Sequence, residues 1–250
     1  MSRLIAVTGK GGVGKTTISA LMIKHLLEAG KSPVLAIDAD PNSCLDAALG
    51  VCVTDTVGRA REEVRTAAGA GGANVSVSKR EMLRLKLEAA MVEAKGFDLI
   101  AMGRPEGEGC YCYANNVLKE IIAEISSQYP CVVLDNEAGL ENLSRRIIQK
   151  VDLMILVSDA SNAGLQTLLR LHELTGEMKM IYGKLALVIN KLRGSKLPDR
   201  IDEIREKTRA NIVIGLPVDD QVAECAESSK SFLELPVSNP VYEKIKGLIN

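Results

Sequence analysis

The stretch Gly9-Lys10-Gly11-Gly12-Val13-Gly14-Lys15-Thr16-Thr17 follows an apolar run, residues 4–7, and precedes a helical pattern. It fits the phosphate-loop pattern G-x-x-x-x-G-K-[ST], read from Gly9. Its glycines let the backbone curl so that N–H groups point inward, and the next helix adds its positive N-terminal end. In such a loop Lys15 reaches the β- and γ-phosphates and the Thr16 hydroxyl binds Mg²⁺. Residues 9–17, here called the phosphate loop, therefore predict a nucleoside triphosphate site.

Short apolar segments alternate with helical patterns along the whole chain. Strands are predicted at residues 3–8, 34–37, 97–102, 131–134, 153–157, 185–189 and 212–214. Strands that are uniformly apolar are buried on both faces, which is typical of a mostly parallel central sheet flanked by helices on both sides. We therefore expect an α/β fold in which residues 1–250 form a single P-loop ATPase domain.

Two stretches in the first half of the chain carry their own predictions. Residues 52–75 combine a charged run with a segment rich in glycine and alanine, and we expect a mobile surface insertion there. Residues 79–95 predict a helix with Met82, Leu85 and Ala89 on one face.

The composition limits the classes of partner. The 250 residues have a net charge of −1, no Trp and two Phe, so neither bulk attraction to nucleic acid nor base stacking is indicated. No apolar run approaches the length of about 20 residues needed to span a bilayer, and no signal peptide is recognisable. We expect a cytoplasmic protein with neither nucleic acid nor membrane as a partner.

Lys10, directly after the first glycine of the phosphate loop, is not required by the general pattern. With it the sequence resembles the deviant Walker A ATPases, which include the nitrogenase iron protein, the septum-site and plasmid-partition ATPases and the nickel-insertion ATPases. The resemblance implies ATP hydrolysis by a homodimer in which Lys10 reaches the partner's ATP. A cation supplied from the second subunit stabilises the developing charge only when the two subunits close.

Two carboxylates lie in Asp38-Ala39-Asp40-Pro41-Asn42, here called the switch I segment, directly after a predicted strand. Ligands of parallel sheets bind at the carboxyl ends of the strands. Asp40 resembles the family's switch I aspartate, which orients or deprotonates the attacking water. Asp38 is expected to hold either the magnesium shell or the loop. The alternative for both is a helix-capping role.

Asp135 ends another predicted strand and resembles a Walker B aspartate, which orients a Mg²⁺-bound water or binds the ion. The following residues resemble switch II, where Gly139 can bring its N–H close to the γ-phosphate. For Glu137 two roles stay open, a contact with the nucleotide or a contact across the dimer.

Two segments are expected to contact the base of the nucleotide. Asn190-Lys191 resembles the family's adenine-contacting position, because an amide both donates and accepts hydrogen bonds. Pro217-Val218-Asp219 resembles the loop that cups the base. Arg193 stands where the guanine-type N-K-x-D pattern requires an aspartate, which favours ATP over GTP. A strand-ending turn is the alternative for Asn190.

A cysteine pair, Cys110-Tyr111-Cys112, follows the predicted strand 97–102 on the same sheet edge as the phosphates. Two cysteines this close in sequence form a disulfide with difficulty, but they can act as a two-thiolate chelate. A twofold homodimer would supply four thiolates around one ion. Zn²⁺, Cu(I), iron–sulfur units and Ni²⁺ all suit such ligands, and incidental cysteines are the alternative.

The stretch 102–116 closely resembles the nickel-insertion ATPases of carbon monoxide dehydrogenase and acetyl-CoA synthase, the CooC/AcsF type. The resemblance implies an ATP-dependent metallochaperone with ATP and Mg²⁺, and with Ni²⁺, or Zn²⁺ in its place, at Cys110 and Cys112. It also implies a nucleotide- or metal-dependent homodimer with one of those nickel enzymes as its client. The alternatives are an electron donor like the iron protein, with a bridging iron–sulfur cluster, and a positioning ATPase like MinD or ParA.

The remaining cysteines and the two histidines receive no role in the site. Cys131 begins a strand and is expected in the core, whereas Cys44, Cys52 and Cys225 stay unassigned. His25 and His172 lie in helical stretches and are expected to be structural.

Overall fold

The computed structural model describes residues 2–69, 78–104, 112–138, 150–194, 196–228 and 230–249. Its strands are β1 (Arg3–Gly9), β2 (Val34–Asp38), β3 (Val92–Ala94), β4 (Phe97–Ala101), β5 (Cys131–Ala138), β6 (Lys150–Asp159), β7 (Ile181–Leu192) and β8 (Ile212–Pro217). Its helices are α1 (Lys15–Glu28), α2 (Leu45–Leu49), α3 (Val57–Gly69), α4 (Lys79–Ala90), α5 (Cys112–Ser127), α6 (Asn162–Glu177), α7 (Ile201–Thr208), α8 (Asp220–Glu227) and α9 (Pro240–Lys246), with a 3₁₀ turn at Phe232–Glu234.

The strands form one eight-stranded sheet in the order β3-β4-β2-β5-β1-β6-β7-β8. Strand β3 runs antiparallel to β4, and the other neighbouring strands are parallel. The predicted α/β fold with a mostly parallel sheet is confirmed. Since β2, β5 and β1 are adjacent and parallel, their carboxyl ends lie side by side at one edge of the sheet.

The sheet is covered on both faces by helices, and its strands alternate between two cores. Ile5 of β1 belongs to the core beneath α1 and α9, whereas its neighbour Ala6 belongs to the core beneath α5 and α6. Successive side chains of a strand point to opposite faces, so both faces must be apolar. This requirement explains the uniformly apolar strands.

The helix predicted for residues 79–95 is shorter, and it presents a different face. Helix α4 ends at Ala90, and residues 92–94 form the edge strand β3. Leu83 and Leu87 are buried in the core, whereas Leu85 is 54% exposed. The predicted Leu85 face is therefore wrong, because a second set of apolar residues at helical spacing, displaced around the helix, makes the contact.

The stretch 52–75, predicted as a mobile surface insertion, is described as far as residue 69 and contains helix α3. Val57 and Val64 of this helix are buried in the same core as α4 and α5, and Ala60 is buried as well. The described part is thus packed against the domain by an apolar face, and residues 70–75 lie outside the described residues. Within the part of the chain that is described, no helix has the length and apolar character to cross a membrane.

Candidate functional site

The phosphate loop connects β1 to α1, and it leaves the first turn of that helix without a side-chain cap. Gly14 is the N-cap residue, with φ 92° and ψ 28°, and it has no side chain to accept from the backbone N–H groups of the first turn. By contrast, Ser78 and Ser161 cap α4 and α6 through their side chains. Uncapped N–H groups at the positive end of a helix are suited to bind an anion, and here they follow a glycine-rich loop.

Lys15 already lies across the loop. Its side chain is among the buried polar groups, with the residue 8% exposed, and Nζ donates a hydrogen bond of 3.2 Å to the carbonyl oxygen of Lys10. The Lys15 ammonium is thus held at the phosphate loop by a neutral acceptor. Lys10 itself is exposed, as its predicted role at a second subunit requires.

Two side chains of β7 brace the phosphate loop from outside. Asn190 Nδ2 donates to the carbonyl oxygen of Val13 at 2.8 Å, and Lys191 Nζ donates to that of Gly12 at 2.9 Å. A Cβ on Gly14 would lie 2.5 Å from Asn190 Nδ2, so glycine is required there by contact as well as by its positive φ. Carbonyl groups held this way cannot turn toward a bound phosphate. The Asn190 amide has a second N–H, so the predicted adenine contact is compatible with this bracing role and stays a prediction.

Asp135 lies at the end of β5 beside the first turn of α1. It is 1% exposed, and its carboxyl accepts a hydrogen bond from Ser19 Oγ at 3.1 Å and another from the Thr16 side chain. Burial raises the pKa of Asp135 to about 7, against the lowering effect of these hydroxyls and of Lys15. A desolvated carboxyl beside a hydroxyl is a hard-oxygen set that suits Mg²⁺, and the ion would offset the unfavourable burial of the negative charge.

Asp38 holds the switch I segment. Its Oδ1 accepts from the backbone N–H of Asp40 at 3.0 Å and its Oδ2 from that of Leu45, the first residue of α2, at 2.9 Å. Burial raises the pKa of Asp38 to about 6. These bonds agree with the loop-holding and capping roles considered for Asp38. Asp40 is partly exposed, and its Oδ1 accepts from the N–H of Asn42 at 2.9 Å.

The predicted switch II begins with a distortion of the sheet. Asn136, 2% exposed, donates through Nδ2 to the carbonyl oxygen of Val7 at 3.1 Å, where β1 and β5 change register before Gly9. Asn136 is the first residue of the stretch that resembles switch II, and its bond to the strand β1 is a contact that the resemblance does not specify. Glu137 is described within β5, whereas Gly139 lies outside the described residues.

One residue of the predicted base loop makes hydrogen bonds within the fold. Asp219 caps α8 by accepting from the N–H of Val222 at 3.0 Å, and it also accepts from Asn239 Nδ2 at 2.9 Å. Val218 is 59% exposed and follows Pro217 at the end of β8. The structure therefore shows a capping role for Asp219, and a base contact through Pro217 and Val218 stays a prediction.

Asp159, at the end of β6, is a charged group that the sequence analysis missed. It pairs with Asn190 in the sheet register, and its Oδ1 accepts from the N–H of Ser161 at 2.8 Å. Hydrogen bonds from Ser161, followed by the charges of Lys10 and Lys191, lower the pKa of Asp159. Its position at a strand end, like that of Asp38, was the signal available in the sequence.

The cysteines are distributed over several elements. Cys112 is the first residue of α5, and Cys110 lies outside the described residues. Cys131 is buried as predicted, Cys225 is buried, and Cys44 and Cys52 are exposed. Among the described residues, no group of three or more His, Cys, Asp or Glu side chains is arranged to hold a metal ion.

Comparison with known proteins agrees with this geometry. Residues 4–232 match the family described as the CobQ/CobB/MinD/ParA nucleotide binding domain. The chain belongs to this family. Within 245 aligned residues it is 41% identical to an uncharacterized ATP-binding protein, MJ0685, of Methanocaldococcus jannaschii, covering 98% of this chain and 96% of that protein. It is 32% identical over 190 residues to the carbon monoxide dehydrogenase accessory protein CooC of Rhodospirillum rubrum, covering 70% and 69% of the two chains.

Solved structures share the fold of this chain. A ParA family ATPase from Chlorobium tepidum superimposes with a TM-score of 0.72 over 98% of this chain and 96% of that chain, at 18% identity. The Pyrococcus furiosus cell division ATPase MinD gives 0.69 over 100% and 98%, at 19% identity.

Proposed function

We propose that this protein is an ATP-dependent metallochaperone that hydrolyses ATP to ADP and phosphate. It binds Ni²⁺ through Cys110 and Cys112 at a homodimer interface and assists nickel insertion into carbon monoxide dehydrogenase or acetyl-CoA synthase. The observation that carries the proposal is the position of the cysteine pair. The pair follows residues 102–104, which hydrogen-bond to the switch I segment at Asp38 and Asn42.

The similarity to CooC, whose name describes a carbon monoxide dehydrogenase accessory protein, supports this client class. The nucleotide-binding part of the proposal rests on family membership, and the nickel part rests on the cysteine pair together with this relative.

In the proposed hydrolytic step, amides of the phosphate loop bind the phosphates and Lys15 neutralises part of their charge. Asn190 and Lys191 keep the loop in its binding shape. Asp40 positions the attacking water, and Lys10 of a second subunit stabilises the transition state. Mg²⁺, held by the Thr16 hydroxyl and the Asp135 carboxylate, would neutralise charge on the phosphate oxygens.

Nickel is the cargo in this proposal. Cys110 and Cys112 of each subunit supply two thiolates, and four thiolates complete one site in the dimer. Zn²⁺ accepts the same ligands and would substitute for nickel when nickel is scarce.

Nucleotide changes metal affinity only through its differential affinity for the two dimer states. A change in metal affinity of about 100-fold needs about 2.7 kcal/mol of coupling between the two sites. One metal-holding state and one releasing state, exchanged by ATP hydrolysis, are sufficient for delivery.

Anaerobic titration of Ni²⁺ into the protein, with ADP or ATP present and with the mass in solution measured, tests the proposal. We expect about 0.5 Ni²⁺ per chain for the wild type. The double variant Cys110→Ser, Cys112→Ser should lose this binding and keep ATP binding. The matched control is Cys44→Ser, Cys52→Ser, which removes two exposed cysteines and should bind normally. Undiminished stoichiometric nickel binding by the first variant would overturn the chaperone role.

A positioning ATPase is the second candidate, because the fold matches ParA and MinD structures over nearly the whole chain. It predicts ATP-dependent co-sedimentation with DNA or with anionic vesicles, whereas the chaperone predicts nickel transfer to a nickel-free client on ATP addition. The net charge of −1 favours the chaperone, since neither DNA nor anionic lipid attracts such a chain through bulk charge.

A further inference from the structure

A cavity of about 700 Å³ lies at the edge of the sheet where β1 and β5 begin, beside the end of α1. Its polar lining residues, which define what is here called the basic pocket, are Ser2, Arg3, His25, Lys31, Ser127 and Gln128. Strand β1 has seven residues and runs from this edge to the phosphate loop. At a rise of about 3.3 Å per residue, the basic pocket is about 20 Å from the nucleotide site. It is therefore a separate cavity, with a volume typical of small-ligand sites.

The basic pocket has an excess of positive charge. Among the described residues that line it, none is Asp or Glu, whereas Arg3 and Lys31 are cationic. Both cations lie near the same buried side chain, because the charge of each lowers the pKa of the Cys131 thiol, which burial raises. Cys131 pairs with Arg3 in the register of β1 and β5. Burial lowers the pKa of His25, so at pH 7 this imidazole adds hydrogen-bonding groups rather than charge.

The two cations keep donors available for a ligand. Arg3 Nη1 donates to the carbonyl oxygen of Ile249 at 3.2 Å, which holds the guanidinium at the pocket wall. A guanidinium has several further N–H donors. Within the described part of the chain, neither Arg3 nor Lys31 forms an ion pair with a carboxylate. An anion in the pocket would therefore not have to displace a competing acidic side chain.

Backbone hydrogen bonds fix the positions of both cationic residues. The N–H of Arg3 donates to the carbonyl oxygen of Pro130 at 2.9 Å, and that of Lys31 donates to the carbonyl oxygen of Leu26, also at 2.9 Å. The carboxyl end of α1 carries about half a negative elementary charge, which opposes an anion. The full positive charges of Arg3 and Lys31 outweigh this effect, so the pocket remains attractive to a negative ligand.

The lining also has an apolar part, which includes Leu26, Pro130 and Ile249. An arginine fork beside a lysine ammonium suits the oxygens of a phosphate group, and two cations match the charge of a phosphate dianion. We propose that the basic pocket binds a small phosphate monoester, whose organic part packs against this apolar part. Arg3 and Lys31 bind the phosphate group, and the amide of Gln128 and the hydroxyl of Ser127 are further polar groups of the same lining.

Calorimetric titration of phenyl phosphate tests this site, with the phosphate loop first saturated by a non-hydrolysable ATP analogue. We expect binding at a single site with a dissociation constant below about 1 mM. Benzyl alcohol, which has a similar ring and no charge, should bind at least about tenfold more weakly. Lys15→Ala, a change at the phosphate loop, should bind phenyl phosphate as the wild type does.

Variants of the two cations locate the binding. Arg3→Gln and Lys31→Gln should each weaken phenyl phosphate binding about tenfold, because each removes one charged donor. Lys31 is exposed, so Lys31→Gln tests the proposal even if Arg3→Gln impairs folding. Arg3→Lys keeps the charge and loses the fork, so its affinity should lie between those of the wild type and Arg3→Gln. Lys179→Gln, which changes an exposed lysine after α6, is the control and should bind normally.

Three results would overturn the proposal. The first is that the wild type does not bind phenyl phosphate under these conditions. The second is that Arg3→Gln and Lys31→Gln both bind it as tightly as the wild type. The third is that binding occurs in the free protein and disappears when the ATP analogue is added, because that binding would belong to the phosphate loop.

Discussion

Asp38 and Asp135 lie directly opposite each other on the adjacent parallel strands β2 and β5. Each is 1% exposed, and burial raises the pKa of both carboxyls, to about 6 for Asp38 and about 7 for Asp135. Asp38 also raises the pKa of Asp135, because two negative charges side by side repel each other. The paired strand ends therefore carry negative charge that the fold alone leaves poorly compensated.

This pairing predicts a pH dependence for the nucleotide-free protein. In the unfolded chain an aspartate has a pKa of about 3.9, so folding favours the protonated form of Asp135. The free energy of unfolding should therefore fall, through this group, as pH rises from about 4 to about 7. Asp135→Asn should be more stable than the wild type by about 2 kcal/mol at pH 8, with a smaller difference at pH 5. Urea unfolding with EDTA measures both values.

Asp159→Asn is the matched control for this experiment. Its carboxyl has a lowered pKa, so it stabilises the fold above its unfolded pKa and loses that contribution as pH falls. Asp159→Asn should be less stable than the wild type at pH 8. A difference between Asp135→Asn and the wild type that is equal at both pH values would show that Asp135 is not held protonated.

The proposed role of Lys10 in a second subunit predicts complementation between two inactive variants. Lys10→Ala and Asp40→Ala should each bind ATP and lose at least about 100-fold in hydrolysis rate. In a mixed dimer, the Lys10→Ala subunit keeps its own Asp40 and receives Lys10 from its partner. Mixing the two variants in equal amounts should restore about a quarter of wild-type activity. Half of the dimers are then mixed, and each mixed dimer has one complete site out of two. If Lys10 serves its own subunit, the mixture stays inactive.

The bond from Asn190 to the carbonyl oxygen of Val13 predicts a loss of phosphate affinity when the amide is removed. Asn190→Ala leaves that carbonyl without its donor, so the loop loses part of its binding shape. We expect ATP and inorganic tripolyphosphate to bind about tenfold more weakly, measured by calorimetry. A loss confined to ATP would indicate base recognition alone and contradict the bracing role.

Helix α4 offers a matched pair of leucines. Leu87 is 1% exposed and Leu85 is 54% exposed on the same helix. Leu87→Ala should lower the free energy of unfolding by about 2–4 kcal/mol, because it removes buried contacts and leaves a cavity. Leu85→Ala should change it by less than about 0.5 kcal/mol, and denaturant unfolding measures both. Equal effects of the two substitutions would indicate that the predicted face with Leu85 also contacts the core.

Most of the fold was predictable because local signals agree with the global arrangement. The strands that become β1, β2 and β4 to β8 each contain a run of apolar residues, and the phosphate loop carries its own glycine and lysine pattern. The edge strand β3 was missed because it has three residues and pairs on one side only. The core face of α4 was misassigned because apolar residues occur on more than one side of that helix.

The sequence indicated which residue types would form the candidate site, but it did not indicate which contacts each residue makes. Lys15 is the first residue of α1, and Asp135 accepts a hydrogen bond from Ser19 of the same helix. Asp219, in contrast, caps a helix, and Asn136 of the predicted switch II binds a carbonyl group of β1. Asp159 lies at the same edge and belongs to no predicted motif. These hydrogen bonds depend on which backbone groups the fold brings close to each side chain, and a single sequence does not contain that information.

The order of residues was enough to establish the phosphate loop and the α/β class, because glycine conformation, helix polarity and strand burial are local properties of the chain. The hydrogen bond between Arg104 and Asn42, the facing of Asp38 and Asp135, and the bracing of the loop by Asn190 were decided only when distant segments met at one sheet edge. Contacts of this kind arise from strand order and register, which emerge from packing of the whole domain.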